Sequence, residues 1–263
     1  MNIIIVTTPS NHFAGVFWKS YRNSAGPSPK AVFFLAERKD LNYSLLKKIF
    51  VPFFLFGIGG ALRLISARYF KMPLLKKDRK LGLHLNYKLL KKGDCKFYNY
   101  RSINDESALN TLQNLNPDII ISIGAPIIFK KEVLQIPKLG VLNIHNALIP
   151  KYRGHFGTFW EVYHNEKRGY ICIHQMAEKV DAGEIIDFDY LENINSFKFL
   201  DLMIEKKYRG GYLLAKILRE TEKMGILFKN NIPIEEKDNI KNYFGWPLFE
   251  DILKFRKIAR TKK

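Results

Sequence analysis

Asn143, His145 and Asp181 have the side-chain types and the spacing that acyl-group chemistry requires. Asn143 and His145 lie two residues apart at the end of the apolar run 140–145, so in a strand their side chains point to the same side. Asp181 follows in the turn-prone segment Val-Asp-Ala-Gly. An amide and a protonated imidazole can stabilise an oxyanion, while a carboxylate supports positive charge and accepts protons. The pattern fits acyl transfer, although a histidine near a strand end is more often structural.

Histidines and cysteines give a weaker signal in this chain. Four of the six histidines lie between residues 143 and 184, at His145, His155, His164 and His174. Their spacing matches neither a helical histidine pair nor a zinc knuckle, so we expect no metal site. Cys95 and Cys172 are far apart in the chain, and we expect buried thiols in a reducing compartment.

The elements that must position these residues follow from short apolar runs bounded by turn residues. Such runs predict strands over 2–7, 30–36, 116–124, 140–145, 171–176 and 184–188, and helical patterns cover 105–115, 158–165 and 197–224. Strands that alternate with helices predict a Rossmann-like α/β fold, with a mostly parallel twisted sheet and helices on both faces. Ligands bind beyond the carboxyl ends of the strands in such sheets.

Residues 41–101 interrupt this alternation and are predicted to form a basic helical insert in a catalytic domain over 1–192. They hold 14 Lys and Arg residues and two acids, a net charge of +12, whereas 143–192 has a net charge of −3. The uncharged apolar run 49–62 is too short to span a bilayer. The apolar run fits either a buried core helix or an interfacial segment. The cations fit either a solvated surface or contact with an anionic partner. Residues 193–263 are predicted to form a helical extension packed on that domain.

A family resemblance points to a specific role for the three polar residues. Leu142-Asn-Ile-His145 followed by Leu148-Ile-Pro-Lys-Tyr-Arg-Gly154, with Asp181-Ala-Gly183 beginning 36 residues after His145, resembles the signature of folate-dependent formyltransferases. The resemblance implies that Asn143, His145 and Asp181 are catalytic and that 10-formyltetrahydrofolate is the co-substrate, with no metal. It also implies that the pterin lies against two backbone segments, formed by Pro126, Ile127, Ile128 and Phe129 and by Glu178, Lys179 and Val180.

Departures from the family pattern bear on the acceptor. Residues 7–13 lack the glycines of a phosphate-binding loop, and 193–263 begins with a long helical pattern instead of the β-barrel of the tRNA enzymes. The closest resemblance is to sugar or other amine N-formyltransferases of surface-polysaccharide synthesis, which implies an amino-sugar linked to a nucleotide or lipid diphosphate. Lys151 and Arg153 are the nearest cations for such an anion. A methionyl-tRNA formyltransferase-like enzyme and a non-catalytic folate-binding or membrane-associated accessory protein are the alternatives.

Partners and location complete the expectations. The first residues have no basic region before a short apolar run, so we expect no signal peptide and a cytoplasmic protein. Peripheral contact with the inner face of an anionic membrane is expected through 41–101, with Phe50, Phe53, Phe54 and Phe56 as apolar contacts. Nucleic acid is not the expected partner. The sequence leaves the oligomeric state open, and a dimer is compatible with it.

Overall fold

A seven-stranded sheet forms the centre of the protein in a computed structural model that describes residues 1–9, 12–36, 45–87, 90, 94–230 and 243–261. The strands in chain order are β1 (Ile3–Thr7), β2 (Ala31–Leu35), β3 (Lys96–Tyr100), β4 (Ile119–Ile123), β5 (Val141–His145), β6 (Arg153–Gly154), β7 (Gly169–Gln175), β8 (Ile185–Leu191) and β9 (Tyr243–Phe244). The sheet has the order β3-β2-β1-β4-β5-β7-β8, and the first five strands are parallel while β7 and β8 are antiparallel. The predicted Rossmann-like, mostly parallel fold is confirmed.

Helices cover both faces of the sheet. They are α1 (Ala14–Asn23), α2 (Leu45–Tyr69), α3 (Lys76–Leu81), α4 (Glu106–Leu115), α5 (Lys131–Leu134), α6 (Gly157–Tyr163), α7 (Phe199–Met224) and α8 (Phe249–Thr261). Ile119 and Ile121 of β4 pack in the core shared with α1 and α7, whereas Ile120 packs with Leu112 of α4 and Val133 of α5. The side-chain alternation of a strand therefore fills two separate cores.

The interval predicted to be an insert is partly built into the sheet. Its last residues, 96–100, form β3, which pairs with β2 at the edge of the sheet. The strand begins with Lys96, and each of its residues is exposed or half-buried, so the sequence shows no buried apolar run there. Part of the predicted insert, 41–44, lies outside the described residues. The domain bounds at 192 and 193 stay a prediction.

The long helix α2 bends in the middle of its apolar run. Gly57 has φ 69° and ψ 172°, so the helix consists of two pieces. Before the bend, Phe54 packs against Phe249 of α8 and Phe56 stacks on Phe199 of α7. The described part of this half therefore packs on the protein, with Leu55 buried and Phe54 and Phe56 partly buried, which favours the core-helix interpretation of the sequence. None of the helices in the described ranges is long and apolar enough to cross a bilayer.

The C-terminal elements pack beside the strand that carries the polar residues. Helix α7 lies against α1, β7 and β8. The short strand β9 pairs in parallel with β6, with Arg153 opposite Tyr243 and Gly154 opposite Phe244. Helix α8 contributes Phe255, which stacks on Phe159 of α6. The chain after residue 193 thus reaches the segment that follows His145.

Candidate active site

The carboxyl end of β5 presents Asn143 and His145 on one face of the sheet. Leu142 and Ile144 point into the core shared with α1 and α7, so the two polar side chains point to the other face. Strand β7 places His174 directly opposite Asn143, whose Nδ2 donates to His174 Nε2 over 3.1 Å. An imidazole that was considered only for metal binding therefore adjoins the predicted catalytic amide.

His174 is the residue that the sequence interpretation missed. Its alternation with the core residues Ile171 and Ile173 indicates the face to which it points. What the alternation does not indicate is which strand lies beside β7. Only the antiparallel pairing of β5 with β7 brings His174 to Asn143.

Asp181 lies between the two histidines. Its Oδ2 atom is 3.6 Å from His145 Nδ1, and its Oδ1 atom is 3.5 Å from His174 Nε2. The backbone N–H of Gly154 donates to Oδ2 over 2.8 Å. The structure therefore brings Asn143, His145 and Asp181 together in one cluster, as the spacing predicted. His145 Nε2 lies 2.6 Å from the carbonyl oxygen of Tyr152, so both of its ring nitrogens face an oxygen.

Two glycines of the recognised motif have physical reasons to be glycine. Gly154 has φ 96°, and a Cβ atom there would lie 2.3 Å from the carbonyl oxygen of Phe244. A Cβ atom on Gly183 would lie 1.6 Å from the carbonyl oxygen of Gln175. Each glycine lets two backbone segments approach closely. The first approach holds the amide that bonds Asp181, and the second closes the loop that carries Asp181.

Burial and neighbouring charge set the protonation of the cluster. Burial raises the pKa of the Asp181 carboxyl, but its contacts with His174 and His145 and the hydrogen bond from the Gly154 amide outweigh burial and hold the pKa at about 2. Burial lowers the pKa of His145, and the Asp181 carboxylate opposes this only in part. At neutral pH the site thus pairs an ionised carboxylate with a neutral imidazole. The sequence had suggested a protonated His145.

Cys172 is the cross-strand neighbour of His145 and is fully buried. Burial raises the pKa of its thiol to about 12, so it stays protonated at neutral pH. A thiol in this state is a poor nucleophile, which leaves the cluster without a covalent catalyst at this position. Among the described residues, no group of three His, Cys, Asp or Glu side chains is arranged to hold a metal ion.

A buried ion pair supports the turn after His145. Lys206 Nζ of α7 lies 2.6 Å from Glu161 Oε2 of α6, and each side chain is 1% exposed. Lys206 also donates to the carbonyl oxygen of Asn146 over 2.8 Å, and Thr158 donates to the same oxygen over 2.9 Å. Helices α6 and α7 thereby fix the backbone one residue beyond His145.

The segments predicted to hold the pterin follow β4 and β7. Asn104 holds the first segment, because its side chain donates to the carbonyl of Ile128 and accepts from the amide of Lys130. Phe129 is buried in the core, whereas Ile128 is 55% exposed. The amide of Met176 donates to the carbonyl of Val141, so residues 178–180 leave β7 at the level of Val141. Strand β7 runs antiparallel to β5, so the second segment leaves β7 beside the start of β5 and then leads back to Asp181.

The two predicted acceptor cations have different surroundings. Lys151 Nζ lies 3.1 Å from Glu166 Oε1, and both residues line a cavity of about 370 Å³ that also includes Arg168 and Glu192. Arg153 lies in β6, next to the glycine that bonds Asp181. Its Nε atom is buried and has no hydrogen-bond partner among the described residues. The structure thus ties Lys151 to a carboxylate and places Arg153 beside the cluster.

Comparison with known proteins identifies the family. Residues 71–196 match the family described as formyl transferase. This match covers just under half of the chain. The predicted family resemblance is therefore confirmed, and the Asn143, His145 and Asp181 cluster lies within the matched part of the chain.

The relatives of this chain carry different names. A methionyl-tRNA formyltransferase of Clostridioides difficile (strain 630) is 28% identical over 166 residues, which are 62% of this chain and 51% of that protein. The bifunctional polymyxin resistance protein ArnA of Wigglesworthia glossinidia brevipalpis is 34% identical over 147 residues, which are 55% of this chain and 21% of ArnA. The chain therefore spans about half of the first relative and about a fifth of the second.

A solved structure shares the fold over nearly the whole chain. The structure of WlaRD, a sugar 3N-formyl transferase, superposes with a TM-score of 0.54 at 16% identity. The superposition covers 98% of this chain and 79% of WlaRD. At this level of identity the likeness concerns the fold.

Proposed function

We propose that the protein transfers the formyl group of 10-formyltetrahydrofolate to a primary amine. The observation that carries the proposal is the convergence of Asn143, His145 and Asp181 at one end of β5, in a chain of the formyl transferase family. The amine nitrogen forms a bond to the formyl carbon, and the bond from that carbon to N10 of the folate then breaks. The amine loses a proton and N10 gains one, so the reaction needs a group that holds a proton nearby.

Asn143 is proposed to stabilise the oxyanion that forms on the formyl oxygen. Its side-chain amide carries two N–H groups, and one of them bonds His174. The second is available to the substrate. Because His174 fixes the rotation of the amide, the donor is held in place before the substrate arrives, which is the condition for effective oxyanion stabilisation. His174 is thus a positioning residue.

His145 is proposed to hold the proton that the amine releases. It begins neutral because burial lowers its pKa. On accepting the proton, the imidazolium faces the Asp181 carboxylate on one side and the Tyr152 carbonyl on the other. Asp181 stays ionised throughout, since its pKa is about 2. The charged histidine then adds to the stabilisation of the oxyanion and can return the proton to N10 as tetrahydrofolate leaves.

The pterin ring of the co-substrate is proposed to lie between the two backbone segments that the resemblance indicated, at Pro126, Ile127, Ile128, Phe129, Glu178, Lys179 and Val180. In support, Phe129 anchors the first segment in the core while Ile128 stays exposed. Residues 178 and 179 are exposed and lead directly to Asp181. Backbone amide and carbonyl groups on both sides suit the hydrogen-bonding edge of a pterin. A co-crystal structure with a folate analogue tests this placement.

The acceptor is proposed to be an amino-sugar linked to a nucleotide or lipid diphosphate. In support, ArnA is named for polymyxin resistance, and the WlaRD structure is a sugar 3N-formyl transferase in the presence of dTDP. A diphosphate needs cations near the cluster, and Arg153 meets this need better than Lys151, which pairs with Glu166. A role in surface-polysaccharide synthesis in the cytoplasm follows as part of the same proposal.

Arg153 and Lys151 form a matched pair for testing acceptor binding. We expect Arg153→Gln to raise the KM for an anionic acceptor about tenfold or more with a smaller change in kcat, because a charge-assisted contact is lost. Lys151→Gln is the control and should change the KM much less. Equal effects of the two substitutions would contradict the assignment of Arg153.

The activity itself is tested with a panel of amines. The protein is incubated with 10-formyltetrahydrofolate and, separately, with a dTDP-linked amino-sugar, a UDP-linked amino-sugar, an undecaprenyl-linked amino-sugar and methionyl-tRNA. We expect tetrahydrofolate release only when an amine acceptor is present, and a product heavier by one CO unit in mass spectrometry. The proposal fails if folded Asn143→Ala, His145→Ala and Asp181→Ala variants all keep near-parental transfer.

Two other functions are separated by the same panel. The methionyl-tRNA formyltransferase relative favours transfer to methionyl-tRNA. Formylation of methionyl-tRNA alone would replace the amino-sugar proposal with that one. Binding of folate without turnover of any acceptor would favour a non-catalytic accessory protein, which an assembled catalytic cluster argues against.

Membrane contact through residues 41–101 is also proposed, as a peripheral association of the protein with an anionic membrane. The supporting observation is the net charge of +12 in this interval.

A further inference from the structure

The second half of α2 is apolar on two opposite sides. After the bend at Gly57, one stripe of the helix is buried against the protein, and it consists of Ala61, Leu64 and Ala67. The other stripe faces solvent, with Ile58 70% exposed, Leu62 48% exposed and Tyr69 70% exposed. Their spacing of four and seven residues keeps them on one side of a helix. An apolar stripe that stays exposed on the side opposite a buried one is a candidate contact surface.

The exposed apolar surface continues beyond the helix. In the connection between α2 and α3, Phe70 is 69% exposed, Met72 65% and Leu74 58%. Together with the exposed stripe, these residues define what we call the α2–α3 face, made of Ile58, Leu62, Tyr69, Phe70, Met72 and Leu74. Apolar surface of this extent is uncommon on a monomer and marks an interaction site.

Cations without acids surround the α2–α3 face. Residues 45–77 contain no Asp or Glu. The two nearest acids are turned inward, because Arg63 bonds both Asp78 at 2.7 Å and Asp201 at 2.7 Å. Lys77 also pairs with Asp201 at 3.0 Å.

The remaining lysines keep their charge on the outside. Lys71, Lys76 and Lys80 are exposed, and no ion pair joins them to any residue in the described ranges. The rim of the face is therefore strongly positive, while the acids that could neutralise it are used in holding α2, α3 and α7 together.

We propose that the α2–α3 face docks on an anionic membrane surface. Apolar side chains of this size insert into the boundary between headgroups and acyl chains, and lysines at the rim contact anionic headgroups. A short exposed stripe suits this shallow mode, which needs no bilayer-spanning helix. The proposal stands independently of formyl transfer and would place a lipid-linked acceptor close to the protein.

The structure changes which residues make the contact. The sequence suggested Phe50, Phe53, Phe54 and Phe56. Phe54 and Phe56 pack against α8 and α7, so they are not available to lipid. Phe53 is half-buried, and the side chain of Phe50 lies outside the described part. The apolar contacts come instead from the residues after the bend at Gly57.

Vesicle co-sedimentation of the full chain tests the proposal. Vesicles of phosphatidylcholine with phosphatidylglycerol are compared with vesicles of phosphatidylcholine alone, each at low and high salt. We expect binding to the anionic vesicles at low salt, about tenfold or more weaker binding to the neutral ones, and release by high salt, because headgroup attraction is screened.

Substitutions separate the face from the charge of the whole chain. The triple variant Phe70→Ser, Met72→Ser and Leu74→Ser should lose at least about tenfold in vesicle affinity, since apolar insertion is removed from exposed positions. The matched control is Met224→Ser with Ile226→Ser, which removes exposed apolar side chains at the far end of α7. This control should bind as the parent does, and far-UV circular dichroism should show that both variants are folded.

Three outcomes overturn the proposal. The parent protein does not bind anionic vesicles at low salt, or the triple variant binds as tightly as the parent. The third is a concentration-dependent dimer in sedimentation equilibrium that the triple variant abolishes, which would assign the face to a second copy of the chain. Loss of vesicle binding with formyl transfer intact supports the proposal and leaves the catalytic assignment unaffected.

Discussion

Asn143 is the side chain whose removal tests the proposed chemistry most directly. We expect Asn143→Ala to lower kcat by about 10²–10³ with little change in folate affinity, because one oxyanion donor is lost. The comparison is Asn99→Ala, which removes the same side chain from an exposed position on β3. The measurement is steady-state kinetics with tetrahydrofolate binding in parallel. Near-parental kcat in the Asn143 variant would exclude the oxyanion role.

The ionisation of His145 leads to a prediction about pH. Burial lowers the pKa of His145 below its ordinary 6.5, so the neutral form persists into mildly acidic solution. A proton acceptor works only when neutral. We therefore expect kcat/KM to be level around neutral pH and to fall as the pH decreases through the pKa of His145.

Asp181→Asn provides the check on this assignment. The Asp181 carboxylate raises the pKa of His145, so its removal should move the acid limb of the profile to lower pH while kcat decreases. A purely structural role for Asp181 would lower kcat without moving the limb. Activity that increases as the pH falls would show that the imidazolium is the working form.

At the scale of elements, the pairing of β6 with β9 holds Gly154, whose amide bonds the proposed catalytic carboxylate of Asp181. We expect Gly154→Ala to lower the free energy of unfolding by about 2 kcal/mol or more and kcat by at least about tenfold, because φ is 96° and a Cβ atom would meet Phe244. Gly245→Ala, in open space one residue beyond β9, is the matched control. Urea denaturation and steady-state kinetics measure both effects. Similar behaviour of the two variants would show that this pairing does not position Asp181.

At the scale of the whole molecule, the Lys206–Glu161 pair connects α7, α6 and the turn after His145. We expect Lys206→Met to lower the free energy of unfolding by about 3–5 kcal/mol, because a buried carboxylate is left without its partner. Lys206→Met combined with Glu161→Leu should regain most of this loss. Lys223→Met, which breaks the exposed pair with Glu220, should change stability little. Additive losses in the double variant would contradict this account.

Charge is distributed unevenly over the molecule. The chain carries a net charge of +18, yet residues 143–192, which hold the proposed catalytic cluster, have a net charge of −3. The cations concentrate instead around α2 and α3. This separation keeps the basic surface away from Asp181 and His145, whose pKa values are set by burial together with the neighbouring polar groups.

The sequence by itself determined the fold class, the family and the identity of the polar cluster. Continuous apolar runs such as 119–123 specify buried parallel strands, and the spacing of Asn143 and His145 specifies a shared face, since both properties depend on local periodicity. Gly154 and Gly183 were recognised only as motif letters. These positions require glycine because the backbone of Gly154 lies close to Phe244 and that of Gly183 lies close to Gln175. The sequence alone does not show these close approaches.

Tertiary structure alone decided which distant residues meet. The antiparallel direction of β7 brings His174 to Asn143, and pairing partners of strands are not written in the periodicity of either strand. The same holds for Lys206, whose position in an amphipathic helix gave no sign of a buried partner in α6. The bend at Gly57 decided which apolar residues of α2 are buried and which reach solvent, because a change of helix direction redirects every side chain that follows it.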